Sequence, residues 1–432
     1  MDLRARLRDI VKSTSSPGRE LSYEPDTGGY EATVTPERLA EILGGRPIKT
    51  RFGSCLAIDR RYESDRRHGS ISIGECDLDD GVGLRLLDPS LAEGPVGKTI
   101  FIDLETTGLS GGAGTVAFLV GCGYFDLGAF QVTQFLLTSY TSERALLAAV
   151  ADFFDAAELI VTYNGKTFDV PVMETRWLFH RMEMPLDGVP HFDALHTARR
   201  LWKPRADDAT ENGCRLVELE RTLFDVRRVG DVAGFEIPSR FFRFLRSGDP
   251  RPLEPVLEHN RLDLVSLAAV TARAARLAHE GADACPDGQQ ALALGRIYER
   301  AGLVDRADAC YRRATLCSNS DIQSEALYRL GLRFRRERRF TEAADIWRAL
   351  IELTESAAGR RLPSASALRQ FAVEALAIHH EHRERNLRAA RELAMFGLEE
   401  EPDERRADSY RHRLARLERK LAKQETAQLF PS

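Results

Sequence analysis

Residues 98–108 read KTIFIDLETTG. Their apolar, β-branched character specifies a strand. Side chains alternate along a strand, so Asp103 and Glu105 point to the same face. A core strand carrying two acids on one face limits what can be built around it. Two more strands come next, TVAFLVGCGYF and AFQVTQFLLT, with turns at SGGAG and DLG. After them stand an acid-started helix, SERALLAAVADFFDAA, a strand, ELIVTYNG, and a helix, VPVMETRWLFHRM. HFDALHTARRLW reads as an extended piece running into a helix. CRLVELERTLF and LEPVLEHNRLDLVSLAAVTARAARL are further helices. Strands first, then strand–helix alternation, predict an α/β domain: a mixed sheet flanked by helices.

Two ionised carboxylates held together repel, and a hard cation such as Mg²⁺ or Mn²⁺ with oxygen ligands offsets that repulsion. The competing reading puts one acid in solvent and the other at the turn Thr106-Thr107-Gly108. Asp169 stands two residues ahead of Pro171, at a strand-to-helix junction, where an N-cap is the alternative role. His259 and Asp263 are four residues apart in LEHNRLDLVSL, on one helix face with Cβ atoms about 5–6 Å apart. A plain surface contact is the alternative there. Asp193 fits a helix N-cap or a residue supporting the acids. The glycines of SGGAGT are not a phosphate-binding loop, because no Gly-Lys-Ser/Thr comes after them.

In this order DLETTGL, YNGKTFD and HNRLD resemble the motifs of the DnaQ-like (DEDD) 3′–5′ exonuclease superfamily, with its ribonuclease H-like fold. The continuation SGGAGTVAFLVGCGYF and the trailing repeats look like a narrower group, the YprB-like ribonuclease H-like proteins of bacteria. The resemblance covers about residues 98–275. It implies a metal-dependent exonuclease acting on single-stranded DNA or RNA through two Mg²⁺ or Mn²⁺ ions. Asp103 would bridge the ions, and Glu105, Asp169 and Asp263 would complete the ligands. It implies that His259 handles the attacking water, although His259 sits at the spacing of the family's tyrosine subtype. Thr106 and Leu109 match positions that touch the terminal nucleotide, and Asn164 one that meets the strand. For Thr106, Leu109 and Asn164, turn formation is the competing reading. The alternative function is a non-catalytic nucleic-acid-binding or protein-interaction scaffold with a ribonuclease H-like domain.

The rest of the chain divides around this domain, residues 98–278. Residues 1–97 read as an irregular, partly β region, with short strands at SCLAI and SISIG. Residues 286–425 read as tetratricopeptide-like helical repeats. Aligning ALALGRIYERAGLVDRADACYRRA with LYRLGLRFRRERRFTEAADIWRAL pairs Gly295 with Gly331, Ala307 with Ala343 and Tyr311 with Trp347. The repeats could carry a protein partner. The polar HEGADACPDGQQ between the two regions reads as a linker crossed by few contacts. Arginines in RLGLRFRRERRFTEA fit a phosphate patch or a helix face neutralised by Glu337 and Glu342. A formal net charge of −5 confines any nucleic-acid binding to local patches or to metal ions. Seven scattered cysteines without CxxC, and no long apolar run, predict a cytoplasmic protein with reduced thiols and no membrane span.

Overall fold

The computed structural model describes residues 35–78, 81–91, 97–108, 114–203, 214–356 and 363–429. Helix α1 (Pro36–Leu43) starts at Thr35, whose hydroxyl accepts from the Arg38 N–H. The antiparallel pair β1 (Arg46–Thr50) and β2 (Gly53–Tyr62) is next. After a small ribbon, β3 (Arg67–His68) and β4 (Ile71–Ser72), comes the short α2 (Val82–Leu87). The central elements are β5 (Thr99–Thr106), β6 (Ala117–Asp126), β7 (Ala129–Leu136), α3 (Glu143–Phe154), β8 (Leu159–Thr162) and α4 (Asp169–Phe179). Then come β9 (His191–Asp193), α5 (Ala194–Leu201), α6 (Leu216–Phe224), α7 (Ile237–Ser247) and the long α8 (Glu254–Glu280).

Seven strands form one mixed sheet in the order β1-β2-β7-β6-β5-β8-β9. β5, β8 and β9 run parallel, and the other neighbours are antiparallel. β1 and β2, from the region ahead of residue 98, extend this sheet through β7. The DLG turn closes the β6–β7 hairpin with both Leu127 and Gly128 at positive φ, as a tight two-residue turn requires.

Alternation along β5 decides where the acids go. Ile100, Ile102 and Leu104 sink into a core shared with α3, α4 and α7. Phe101 enters the opposite core, beneath α2 and α8. Asp103 and Glu105 continue the Phe101 face toward the end of the strand. A register shift between Glu105 and Thr106 marks a bulge there, a common device for re-aiming side chains beside a site.

Helices α9 (Gly288–Arg300), α10 (Val304–Ala314), α11 (Ser320–Arg336), α12 (Phe340–Ser356), α13 (Pro363–His379), α14 (Leu387–Glu400) and α15 (Glu404–Leu429) make an all-helical C-terminal region. In three helix pairs a glycine faces an aromatic ring. A Cβ on Gly295, Gly331 or Gly397 would lie 2.6, 2.4 or 2.5 Å from Tyr311, Trp347 or Tyr410. At each of these positions only glycine leaves room for the ring. The arginines of the second repeat are largely neutralised: Arg329 pairs with Glu299 and Glu325, Arg333 with Asp308 and Glu337, and Arg339 with Glu337 and Glu342. A one-turn π-helix, His380–Glu384, ends α13. Its buried Glu381 collects Arg413, Arg416 and Lys420 from α15, tying the last helix to the stack.

The expectation of a sparse linker after α8 is corrected. Cys285, Ala291, Leu294, Ile297 and Tyr298 belong to the same core as Leu264, Leu267 and Leu277 of α8. The Tyr298 hydroxyl donates to Ala278 O at 2.7 Å, and Trp202 Nε1 donates to Gln290 Oε1 at 3.2 Å. A polar, glycine-containing stretch still packs when apolar residues on both sides of it share one core.

His68, on the β3–β4 ribbon, is buried against α8, with its Nε2 2.8 Å from Ser266 Oγ. Burial, helped by Arg228 and Arg66, pushes its pKa down to about 4. The unfolded chain binds this proton near pH 6.5, so stability falls as pH drops from about 6.5 to 4. Against a His68→Gln control, chemical denaturation at pH 7.5 and pH 4.5 is expected to show about 2–3 kcal/mol of extra acid sensitivity in the wild type.

Candidate active site

Five of the residues expected from the sequence meet at the end of β5. Asp103 and Glu105 project from the strand itself, and part of each remains open to solvent. β8 pairs with β5 only as far as Phe101. The Leu104 N–H beyond that point has no strand partner on that side, and the Asp169 carboxylate accepts it. Asp169 is the first residue of α4 rather than its cap. His259 and Asp263 come from α8, with His259 Nε2 3.5 Å from Asp263 Oδ2.

The acids disturb one another strongly. Burial first, then the charges of Asp263, Glu105 and Asp169, hold the Asp103 carboxyl well above the usual carboxylate range. Burial, then Asp263 and Asp169, do the same to Glu105. Burial pushes Asp169 up to about 7, against the backbone N–H bonds that lower it. Such a set suits a cation with oxygen ligands. Among the described residues, no three His, Cys, Asp or Glu side chains are grouped as a formed metal cage. The buried Arg228 guanidinium pairs with one of these acids, Asp263.

Three residues around the site were not anticipated. Arg228 is held by Glu220, through an Nε–Oε2 bond of 2.9 Å and a second contact from Nη2, and reaches Asp231 at 3.2 Å. Asp231 accepts from His259 Nδ1 at 2.7 Å. Burial opposes the Asp231 charge, yet the His259 and Arg228 contacts keep its carboxyl below the ordinary range. Asn260, next to His259 in HNRLD, is fully buried. Its Nδ2 donates to Asp103 Oδ2 at 2.7 Å and to Asp103 O at 3.1 Å. Gln134 in turn donates to Asn260 Oδ1 at 2.7 Å. Arg228 and Asp231 lie in a segment without periodicity, so no local signal marks them. Asn260 carries one: a polar residue beside apolar Leu257 and Leu264 on a buried helix.

The other expected residues behave as local structure. The Thr106 hydroxyl donates to Gly108 O at 2.8 Å, within the turn. Asn164 is exposed at φ 68°, and its N–H donates to Asp193. Asp193 caps α5 through the Leu195 N–H and also accepts from Lys166 N, fixing the loop that leads to Asp169. Leu109 and residues 110–113 of the glycine turn lie outside the described residues.

A family model described as the RNase_H superfamily matches residues 100–275. The Uncharacterized protein YprB of Bacillus subtilis (strain 168) is 30% identical over 390 residues, covering 88% of this chain and 90% of that protein. The chain belongs to the YprB-like family. Its ribonuclease H superfamily domain ties it to nuclease-type, nucleic-acid-related chemistry, which in this superfamily generally uses divalent metal ions. Among solved structures, the family B DNA polymerase of the archaeon Pyrobaculum calidifontis aligns with 49% of this chain and 30% of its own, at 13% identity and a TM-score of 0.33. That likeness is too slight to bear on the fold. None of the described helices is long and apolar enough to cross a membrane, and all seven cysteines are free.

In this YprB-like chain, Gly121 faces Asp103 across the β5–β6 pair. A Cβ there would stand 2.2 Å from Asn260 Oδ1. Gly121→Ala is expected to push Asn260 off Asp103 and to destabilise the fold by about 1–3 kcal/mol, as overpacking typically does. Thermal denaturation in EDTA checks the stability, and an Mn²⁺ titration checks the site.

Proposed function

We propose that the protein is a metal-dependent 3′–5′ exonuclease that hydrolyses single-stranded nucleic acid. The mutual elevation of Asp103, Glu105 and Asp169, with Asp263 as a shared cause, supports this reading most directly. One guanidinium, Arg228, faces these acids, and the negative charge left over is costly to bury without a further cation. Asp103, Glu105, Asp169 and Asp263 would hold two Mg²⁺ or Mn²⁺ ions. When bound, such ions polarise a phosphodiester and activate water. Asn260 keeps one Asp103 oxygen occupied and its rotamer fixed. The Asp231 bond orients His259 so that the Nε2 edge faces the acids, where it can take a proton from water. The helical stack supplies tetratricopeptide-like hairpins as a surface for a protein partner, and the free thiols suit a cytoplasmic setting.

The test is digestion of 5′-labelled single-stranded DNA and RNA with Mn²⁺, with EDTA, and with a blocked 3′ end. A ladder shortening from the 3′ end, absent in EDTA and with the block, is expected. Products unaffected by the block would replace the exonuclease reading with an endonuclease. His259→Ala is expected to lower kcat on the order of 10²-fold with a smaller change in KM, because a group acting on water works mainly in the transition state. His259→Tyr is expected to retain more activity than His259→Ala.

A further inference from the structure

Helix α7 was not anticipated from the sequence, although IPSRFFRFLRSG carries its signals. Pro238 lies in the first turn, Phe241, Phe244 and Leu245 share a face, and Gly248 caps the end at φ 71°. The buried face stacks Phe241 on Phe118 of β6, with ring centroids 4.2 Å apart. Its other side presents Arg240, Arg243 and Arg246, and the helix contains no acid. Arg240 pairs with Glu236, and Arg251 just beyond the helix pairs with Asp249. Among the described residues no carboxylate pairs with Arg243 or Arg246, both exposed, and Arg240 Nε is buried without a hydrogen-bond partner. A wide cleft of about 630 Å³ runs along this side, lined by Arg240, Arg243, Arg251 and Ser239 with Glu236 and Asp249.

The segment leading into α7 ties this surface to the acids. Phe224 lies in the core on one face of the sheet, and Val232 and Ile237 lie in the core on the other. The chain between them crosses the edge of the site, where Arg228 grips Asp263 and Asp231 grips His259. The same segment exposes two apolar side chains, Val229 at 97% and Phe235 at 78%. Phe235 is therefore a solvent-facing ring four residues from Asp231, the partner of His259, at the head of an acid-free helix.

We propose that Phe235 and the Arg240–Arg243–Arg246 side of α7 form the track that delivers single-stranded nucleic acid to the acid site, a reading that rests on the proposed nuclease function. The arginines take backbone phosphates, and Phe235 stacks on an unpaired base. A duplex offers no free base face to that ring, so the track selects single strands. The ion pairs in the second repeat leave that stretch neutralised, whereas α7 keeps cations in excess of its nearby acids.

The experiment is fluorescence anisotropy of a fluorescein-labelled 20-nucleotide thymidine oligonucleotide on the full chain in EDTA, which separates binding from cutting. The double variant R243E/R246E is expected to bind at least tenfold more weakly, with a salt slope shallower by about 1.4, or about 0.7 for each phosphate no longer neutralised. Phe235→Ala is expected to weaken binding about tenfold. Melting temperatures close to the wild type's show that the variants fold. Unchanged affinity and salt slope in R243E/R246E overturn the track. So does a wild-type protein that binds polyglutamate through these arginines but not the oligonucleotide, since the surface would then serve an acidic protein. Hydrolysis of a small p-nitrophenyl phosphodiester by the wild type with Mn²⁺ tests the acids alone. If that fails while oligonucleotide binding still depends on Arg243 and Arg246, the nuclease reading falls, delivery to the acids falls with it, and only a single-strand-binding surface on α7 stands.

Discussion

Asp103→Asn is expected to abolish metal-dependent hydrolysis, by at least about 10²–10³-fold, the loss typical for one electrostatic contact in a transition state. It is also expected to make the metal-free protein more stable. Asp103 is surrounded by Asp263, Glu105 and Asp169, and burial adds to their repulsion. Asparagine keeps the shape, removes the charge and still offers an oxygen to Asn260 Nδ2. A gain of about 1–3 kcal/mol at pH 8 in EDTA is the expected size, comparable to the cost of a strained functional group. In the wild type, Mn²⁺ should recover that stability through binding to the folded state. In the variant, the Mn²⁺-dependent rise in melting temperature should shrink. The paired measurement is denaturation in EDTA and in Mn²⁺, beside the digest. A variant that is inactive but also destabilised in EDTA would point to a structural carboxylate and remove Asp103 from the proposed ligand set.

Strand alternation places Asp103 and Glu105 on one face with no tertiary knowledge, and helical spacing does the same for His259 and Asp263. Asp169 needs only the strand-to-helix junction. Motif order implies that these residues converge, and the geometry supplies the cause: β8 is short, so α4 begins beside Leu104. Arg228 and Asp231 are not legible in this way. They act through contacts from an aperiodic segment to residues 28 and 35 positions away, and no local pattern encodes that. The acid-free helix α7 is a different case. Its periodicity and caps are present in the sequence, but the arginine-dense second repeat is the louder local signal, and there neighbouring glutamates cancel the charge. A count of arginines in a window does not measure a patch. The count of nearby carboxylates in space does.

Ending the chain at Gly281 is expected to destroy the fold rather than release a working domain. The second half of α8 is covered by the C-terminal helices: Leu264, Leu267, Val270, Ala274 and Leu277 share a core with Ala291, Leu294, Ile297, Tyr298 and Tyr311. Each large apolar side chain in such a core contributes about 1.5–3 kcal/mol, and a domain's whole stability is about 5–15 kcal/mol. Removing several of them, with the Tyr298–Ala278 hydrogen bond, takes away an amount of that order. The same helix carries His259, Asn260 and Asp263, so the site would go with it. The shared core runs on only as far as Phe334 and Ala343, and separate small cores around Trp347 and around Tyr410 hold the later helices. A chain ending at Ser356 is therefore expected to fold cooperatively and keep Mn²⁺ binding, and one ending at Gly281 to be aggregated or unfolded. Circular dichroism melts and gel filtration of the two truncations separate these outcomes. A soluble, cooperatively melting fragment ending at Gly281 would show that the α8–α9 packing is dispensable and that the acid site needs only the sheet beneath it.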